Sequence, residues 1–172
     1  MKPYIFVDLD ETLIHAFEDW EDPTADAVEI EVSGEKFWTS LRPGALDLLA
    51  QLRAVGDVHM LTIAAADYAA KMNQQFGFGF SGEEIYPREK IQKNMIYIPP
   101  RDVTVLLDNL PRRENRVKIE FLGRVAARGS ILYLQCAEYR GGSDLGFSQE
   151  NITLFLEKIN EKIILDPPED DE

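Results

Sequence analysis

Near the start of the chain, FVDLDETLIH (residues 6–15) sets Asp8, Asp10 and Glu11 within four positions, directly after an apolar run. Carboxylates this close disfavour each other's ionised form, so the cluster implies a compensating partner. Two further apolar runs end in oxygen-bearing residues: VHMLTIA (58–64) at Thr62, and VTVLLDN (103–109) at Asp108 and Asn109. If the three runs are parallel strands of one sheet, their carboxyl ends bring these groups to one edge, where ligands gather in α/β folds. Asp8, Asp10, Asp108 and Asn109 would then supply oxygen donors for Mg²⁺, a hard cation that keeps several of its own waters. Such an ion would stabilise the crowded carboxylates. Alone, D-x-D-x-T is a short pattern that turn-forming acids also generate. Its order with Thr62 and Asp108, each closing an apolar strand, gives it weight.

The elements that must hold these groups are legible from periodicity. YIFVDL (4–9) is a short run rich in strand formers, as expected of a buried parallel strand. AVEIEVSGEKFWTSL (27–41) alternates around a Ser-Gly turn and predicts a hairpin. RPGALDLLAQLRAVG (42–56) predicts a helix with Ala45, Leu48, Leu49 and Leu52 on its inner stripe, ended by Gly56. ADYAAKMNQQFGF (66–78) predicts a second helix, with Tyr68, Met72 and Phe76 on one face. EEIYP (83–87) and SILYLQC (130–136) read as strands. SQENITLFLEKINEKI (148–163) reads as a helix capped by Ser148, with Ile152, Phe155, Leu156, Ile159 and Ile163 inward. Strands alternating with helices predict an α/β, Rossmann-like three-layer sandwich. Its central sheet is mostly parallel, with a small β-hairpin insertion after the first strand. The expected organisation is one domain over residues 1–165, with the insertion at about 17–41 and an acidic, solvated tail at 166–172.

The bulk composition narrows the partners. The formal net charge of −13 argues against broad binding to nucleic acid or to an anionic membrane surface. No run of apolar residues is long enough to span a bilayer, and the first residues lack the layout of a signal peptide. Cys136 is the only cysteine, which removes intrachain disulfides and cysteine-based zinc sites. A cytoplasmic location is the expectation. The one basic cluster, RRENRVK (112–118), reads as a solvated helix that could also guide an anionic substrate.

These residues resemble a known family. VDLDETLIH looks like the first motif of the haloacid dehalogenase superfamily, whose phosphatases use an aspartate nucleophile. LRPGALDLLAQL, MLTIAAADYA and VLLDNLP are similar to elements of its small CTD phosphatase/Fcp1 branch. The likeness runs from about residue 4 to 111, with four motifs agreeing in order and spacing. It implies a Mg²⁺-dependent phosphatase with Asp8 as nucleophile and Asp10 as acid and base, the backbone carbonyl of Asp10 also reaching the metal. Thr62 would bind a phosphoryl oxygen and Thr12 would brace the loop. Asp108 and Asn109 would complete the metal shell.

The family's lysine is placed by pattern. Tyr86, Arg88 and Lys93 reproduce an aromatic, arginine and lysine spacing, and Lys93 stands 15 residues before Asp108. Lys93 is therefore the expected phosphate-binding lysine, with Lys90 the alternative. Thr12, Arg88 and Trp38 are the expected substrate-binding residues. Glu11 reads as structural or solvent-facing, Arg42 as structural or phosphate-binding, and Cys136 as core.

The resemblance implies a phosphorylated substrate, either a phosphoserine or phosphothreonine protein or a small phosphorylated metabolite or nucleotide. FGFGFSG (76–82) lacks an arginine that peptide-specific relatives carry there, which weakens the protein reading. A non-catalytic phosphate- or protein-binding module on the same fold is the remaining reading.

Overall fold

A computed structural model describes residues 2–93, 96, 98–126, 128–143 and 145–165. The expected acidic tail, 166–172, lies outside the described residues. Five strands form a parallel sheet: β1 (Tyr4–Val7), β5 (Asp57–Leu61), β6 (Ile85–Tyr86), β7 (Thr104–Asp108) and β8 (Ile131–Gln135), in the order β6-β5-β1-β7-β8. All four residues of β1 are buried, as a central strand flanked by β5 and β7 requires.

Alternation along the strands feeds two cores. Ile5 and Val7 join the cluster built from α1 (Ala45–Val55), α2 (Ala66–Phe76) and α5 (Gln149–Leu165). Tyr4 and Phe6 join the opposite cluster, built from α3 (Arg88–Gln92) and α4 (Arg116–Val125). The three layers are those expected from the sequence. The inner stripe of α1 is Ala45, Leu48, Leu49 and Leu52, and Ser148 Oγ accepts the Asn151 N–H at the start of α5. No helix among the described residues is long and apolar enough to cross a membrane.

The expected hairpin pairs β3 (Val28–Val32) with β4 (Glu35–Leu41) across Ser33 and Gly34, both at positive φ as a tight two-residue turn demands. The structure adds a third strand, β2 (Ile14–Ala16), antiparallel to β4. Three residues are too few to show alternation, so this strand was not legible. Ser33 Oγ donates to Asp67 Oδ2 at 2.5 Å, tying the hairpin tip to α2.

One residue of β5 makes the fold acid-sensitive. The His59 ring stacks on Phe6 (5.3 Å between centroids) and meets Tyr4 and Tyr86 edge-on, and its buried Nδ1 has no hydrogen-bond partner among the described residues. Burial holds its pKa below the ordinary value of 6.5. The unfolded chain therefore takes up a proton near pH 6.5 that the folded chain refuses, and stability falls as pH drops through that range. His59→Phe should lose less melting temperature than wild type between pH 7.5 and 5.5. Parallel pH profiles for the two proteins would contradict this role.

Candidate active site

The order β5-β1-β7 sets three carboxyl ends side by side. Asp8 leaves β1 with its N–H still bound to the Leu107 carbonyl (3.0 Å). The chain then turns sharply. The Thr12, Leu13 and Ile14 amides all donate to the Leu9 carbonyl, and Glu11 adopts φ +59°, rare for a residue with a side chain. Leu9 and Leu13 are fully buried and pin this loop from below, while Asp8, Asp10 and Glu11 line a cavity of about 530 Å³. Thr62, Asp108 and Asn109 line the same cavity, so the sequence-predicted carboxylate, threonine and Asp-Asn groups do converge.

The compensating cation is Lys118. Its Nζ donates to Asp8 Oδ1 at 2.6 Å and to Asp108 Oδ2 at 2.7 Å, with the residue only 3 % exposed. Burial works against its charge, but Asp8 and Asp108 outweigh burial and hold its pKa above the usual lysine value. Thr12 Oγ1 donates to Asp8 Oδ2 (2.9 Å), and the Leu110 amide donates to Asp108 Oδ1 (3.0 Å). Burial pushes the Asp8 carboxyl up to about 6, with Asp108 and Asp10 adding to the rise and Lys118 opposing it. Asp10 is raised by burial and drawn back by a 2.7 Å hydrogen bond from the Tyr68 hydroxyl. Glu11, crowded by burial, Asp10 and Asp8, rises to about 7.

The lysine expected from spacing lies apart from this geometry. Lys93 ends α3 on the exposed surface and does not line the cavity. Lys90 donates to the Gly82 and Ile85 carbonyls and lies over the Tyr86 ring, so it serves the local fold. Nor is residues 112–118 simply a solvated helix. Lys118 shares the buried face of α4 with Phe121, Leu122 and Val125, at helical spacing from each. A lysine on an apolar stripe is the signal that could have found it.

Two expected substrate contacts also lie elsewhere. The Arg88 side chain is 54 % exposed beside Glu89 and outside the cavity lining. Trp38 is 45 % exposed and likewise outside it. Strand alternation in β4 turns Phe37, not Trp38, toward the cavity, where Phe17 and Tyr68 complete an aromatic wall and Glu18 and Glu138 add carboxylates.

Arg42 is structural. Its guanidinium donates to the carbonyls of Thr12 (3.2 Å), Ala137 (2.8 Å) and Leu145 (2.6 Å) and stacks on Phe147. Gly44 makes room for this joint: at φ +80°, any Cβ would sit 2.1 Å from the Phe147 carbonyl oxygen. Cys136 is core, its thiol pushed up to about 11 by burial.

Comparison with known proteins gives the chain a family and a fold. The family model of NLI interacting factor-like phosphatases matches residues 3–118, and the chain belongs to that family. The match ends on the lysine that bridges the two aspartates. Among solved structures, Fcp1, an essential RNA polymerase II CTD phosphatase, superposes with a TM-score of 0.56 at 16 % identity over 95 % of this chain and 52 % of that one. An arginine-to-alanine variant of the fission yeast enzyme bound to beryllium fluoride gives a TM-score of 0.52 at 16 % identity, over 96 % of this chain and 50 % of that one. At this identity the likeness is one of fold, and the chain spans about half the length of these relatives. No curated protein sequence matches it significantly.

Proposed function

We propose that the chain is a Mg²⁺-dependent phosphomonoester hydrolase working through an aspartyl-phosphate on Asp8. The observation that carries this reading is the buried Lys118 bridge between Asp8 and Asp108, opening onto a cavity that also presents Asp10 and Thr62. The complete set of groups favours turnover over phosphate binding alone.

The donor set fits Mg²⁺. The Asn109 amide lies 3.0 Å from Asp8 Oδ2 and 3.3 Å from Asp108 Oδ1. With its nitrogen on that side it donates to both. That orientation also reaches Thr12 Oγ1 (3.3 Å) and satisfies the facing oxygens, and turning the amide would present its oxygen to a bound cation instead. Among the described residues, no three His, Cys, Asp or Glu side chains converge as a metal site. With the amide turned, Asp8 Oδ2, the Asn109 amide oxygen and the Asp10 backbone carbonyl would hold the ion with waters, as Mg²⁺ accepts. When bound, Mg²⁺ would neutralise charge on the phosphoryl oxygens.

The protein groups supply the rest. Lys118 offsets the charge of Asp8 and the incoming phosphoryl group. The Asp8 carboxylate attacks phosphorus as the bond to the leaving oxygen breaks. Asp10 gives that oxygen a proton and later takes one from the attacking water. The Thr62 hydroxyl, already accepting the Ala64 amide, is free to donate to a phosphoryl oxygen.

The substrate would be a phosphorylated protein side chain reaching the cavity past Phe17, Phe37 and Tyr68, by analogy with the polymerase-tail substrate named for Fcp1. The acidic rim of Glu11, Glu18 and Glu138 favours a second reading, a small phosphorylated metabolite without further negative charge. Phosphate release from p-nitrophenyl phosphate should require Mg²⁺ and stop with chelator. Phosphoserine peptides and phosphorylated metabolites, compared by kcat/KM, then separate the two substrate classes. Release indifferent to chelator would sink the metal-dependent reading.

A further inference from the structure

Asp10 has two carboxylate oxygens, and the proposed chemistry needs only one of them to carry a proton. The Tyr68 hydroxyl donates to Asp10 Oδ1 at 2.7 Å. No other hydrogen bond reaches the Asp10 side chain among the described residues, so Oδ2 is the oxygen left to the cavity that Asp10 lines.

Tyr68 is itself held. Its ring meets Phe37 edge-on, 5.4 Å between centroids, and both rings line the cavity. One residue earlier, Asp67 takes the hydrogen bond from Ser33 at the hairpin tip. The inserted hairpin is thus fastened to the first turn of α2 at two adjacent residues, one of which touches Asp10.

We propose that Tyr68 is a positioning residue: by occupying Oδ1 it fixes the transferable proton on Asp10 Oδ2, and it makes that placement depend on the hairpin through Phe37. The idea rests on the phosphatase reading of the same site. In the step concerned, a bond forms between an Asp8 oxygen and phosphorus while the bond from phosphorus to the leaving oxygen breaks. The Asp10 Oδ2 proton passes to that oxygen, leaving Asp10 as a carboxylate that still accepts from Tyr68. A phenol is neutral at ordinary working pH, and the 2.7 Å contact leaves Tyr68 the donor to Oδ1 before and after the transfer. A hydroxyl that never ionises can orient a carboxyl group without competing for its proton.

The arrangement has a signature that a packing role lacks. A proton donor matters most when the leaving oxygen is strongly basic, as in an alkyl phosphate, and little when it is an aryl oxygen that leaves as a stable anion. The quantity to measure is kcat/KM, which reports phosphoryl transfer to Asp8 whichever later step limits turnover. In Tyr68→Phe the ring and its contact with Phe37 remain, and only the hydroxyl is lost. Positioned general-acid catalysis contributes about 10²–10⁴-fold. Loosening its alignment should therefore lower kcat/KM for phosphoserine or ethyl phosphate by roughly ten- to a hundredfold, and for p-nitrophenyl phosphate by less than about threefold. Phe37→Leu should give the same selectivity at smaller amplitude, since it leaves the hydroxyl but removes its ring support.

Equal losses on alkyl and aryl substrates, or no loss on either, would overturn the proposal while leaving the phosphatase reading intact. If wild type turns over neither substrate with Mg²⁺ present, the phosphatase reading fails and takes this one with it. A thermal melt of each variant, matching wild type within a few degrees, confirms that the comparison is between folded proteins.

Discussion

Lys118→Met is expected to cost both activity and stability, while Lys93→Ala leaves both near wild type. Methionine keeps the length of the side chain and its packing beside Phe121 and Leu122 but withdraws the ammonium that Asp8 and Asp108 share. Removing one partner of a buried ion pair typically costs about 3–5 kcal/mol, because the remaining charges stay buried without compensation. In a chain of this size that corresponds to a fall in Tm of roughly 10 °C. Loss of a positioned cation at a phosphoryl group should lower kcat by about 10²–10³-fold.

The stability defect should carry a pH signature. Asp8 already has a raised pKa, and without Lys118 the chief downward influence is gone while burial, Asp108 and Asp10 still push it upward. A carboxyl group with a raised folded pKa binds more protons folded than unfolded, so it gains stability as pH falls. The gap in Tm between variant and wild type should narrow from pH 8 to pH 5. A full-strength enzyme after Lys118→Met, together with an inactive Lys93→Ala, would return the phosphate-binding role to α3.

Asp8→Asn is expected to have the largest effect on turnover and a small one on folding. The amide oxygen can still accept from Lys118, and its nitrogen can meet Thr12 Oγ1, so the local bonds survive in altered form. A neutral amide is no nucleophile toward phosphorus, and loss of a covalent nucleophile commonly removes about 10⁴-fold or more of the rate. After brief incubation with substrate and an acid quench, mass spectrometry of wild type should find one added phosphoryl group on the peptide containing Asp8. The variant should carry none. Phosphorylation found on another residue, or turnover kept by the variant, would refute the covalent mechanism.

Where a side chain's position follows from its neighbours along the chain, the sequence revealed it. Asp8, Asp10, Thr62 and Asp108 each close an apolar strand, and parallel pairing alone carries them to one edge. The helices announced their buried stripes in the same local way. What escaped were contacts made across the fold. Lys118 reaches Asp8 from 110 positions away, and Tyr68 reaches Asp10 from 58. Helical periodicity showed that Tyr68 faces inward but not that its hydroxyl ends on a carboxylate. Spacing drew the lysine to α3 because Lys93 precedes Asp108, as the family pattern leads one to expect. Which face of a helix meets the site depends on how it lies against the sheet, and spacing along the chain does not encode that.

The Arg42 joint bears on how the molecule reaches its working form. Its guanidinium clasps the Thr12 carbonyl together with carbonyls 95 and 103 positions further on, and the Asp8 to Lys118 bridge spans a comparable distance. Contacts of such long sequence separation carry a loop-closure entropy cost that local contacts do not. Until α4 and the segment after β8 dock, Asp8 and Asp10 would lack the Lys118 partner that the folded site gives them. Catalytic competence would wait on that docking, and a chain stalled before it would be inert as well as incomplete.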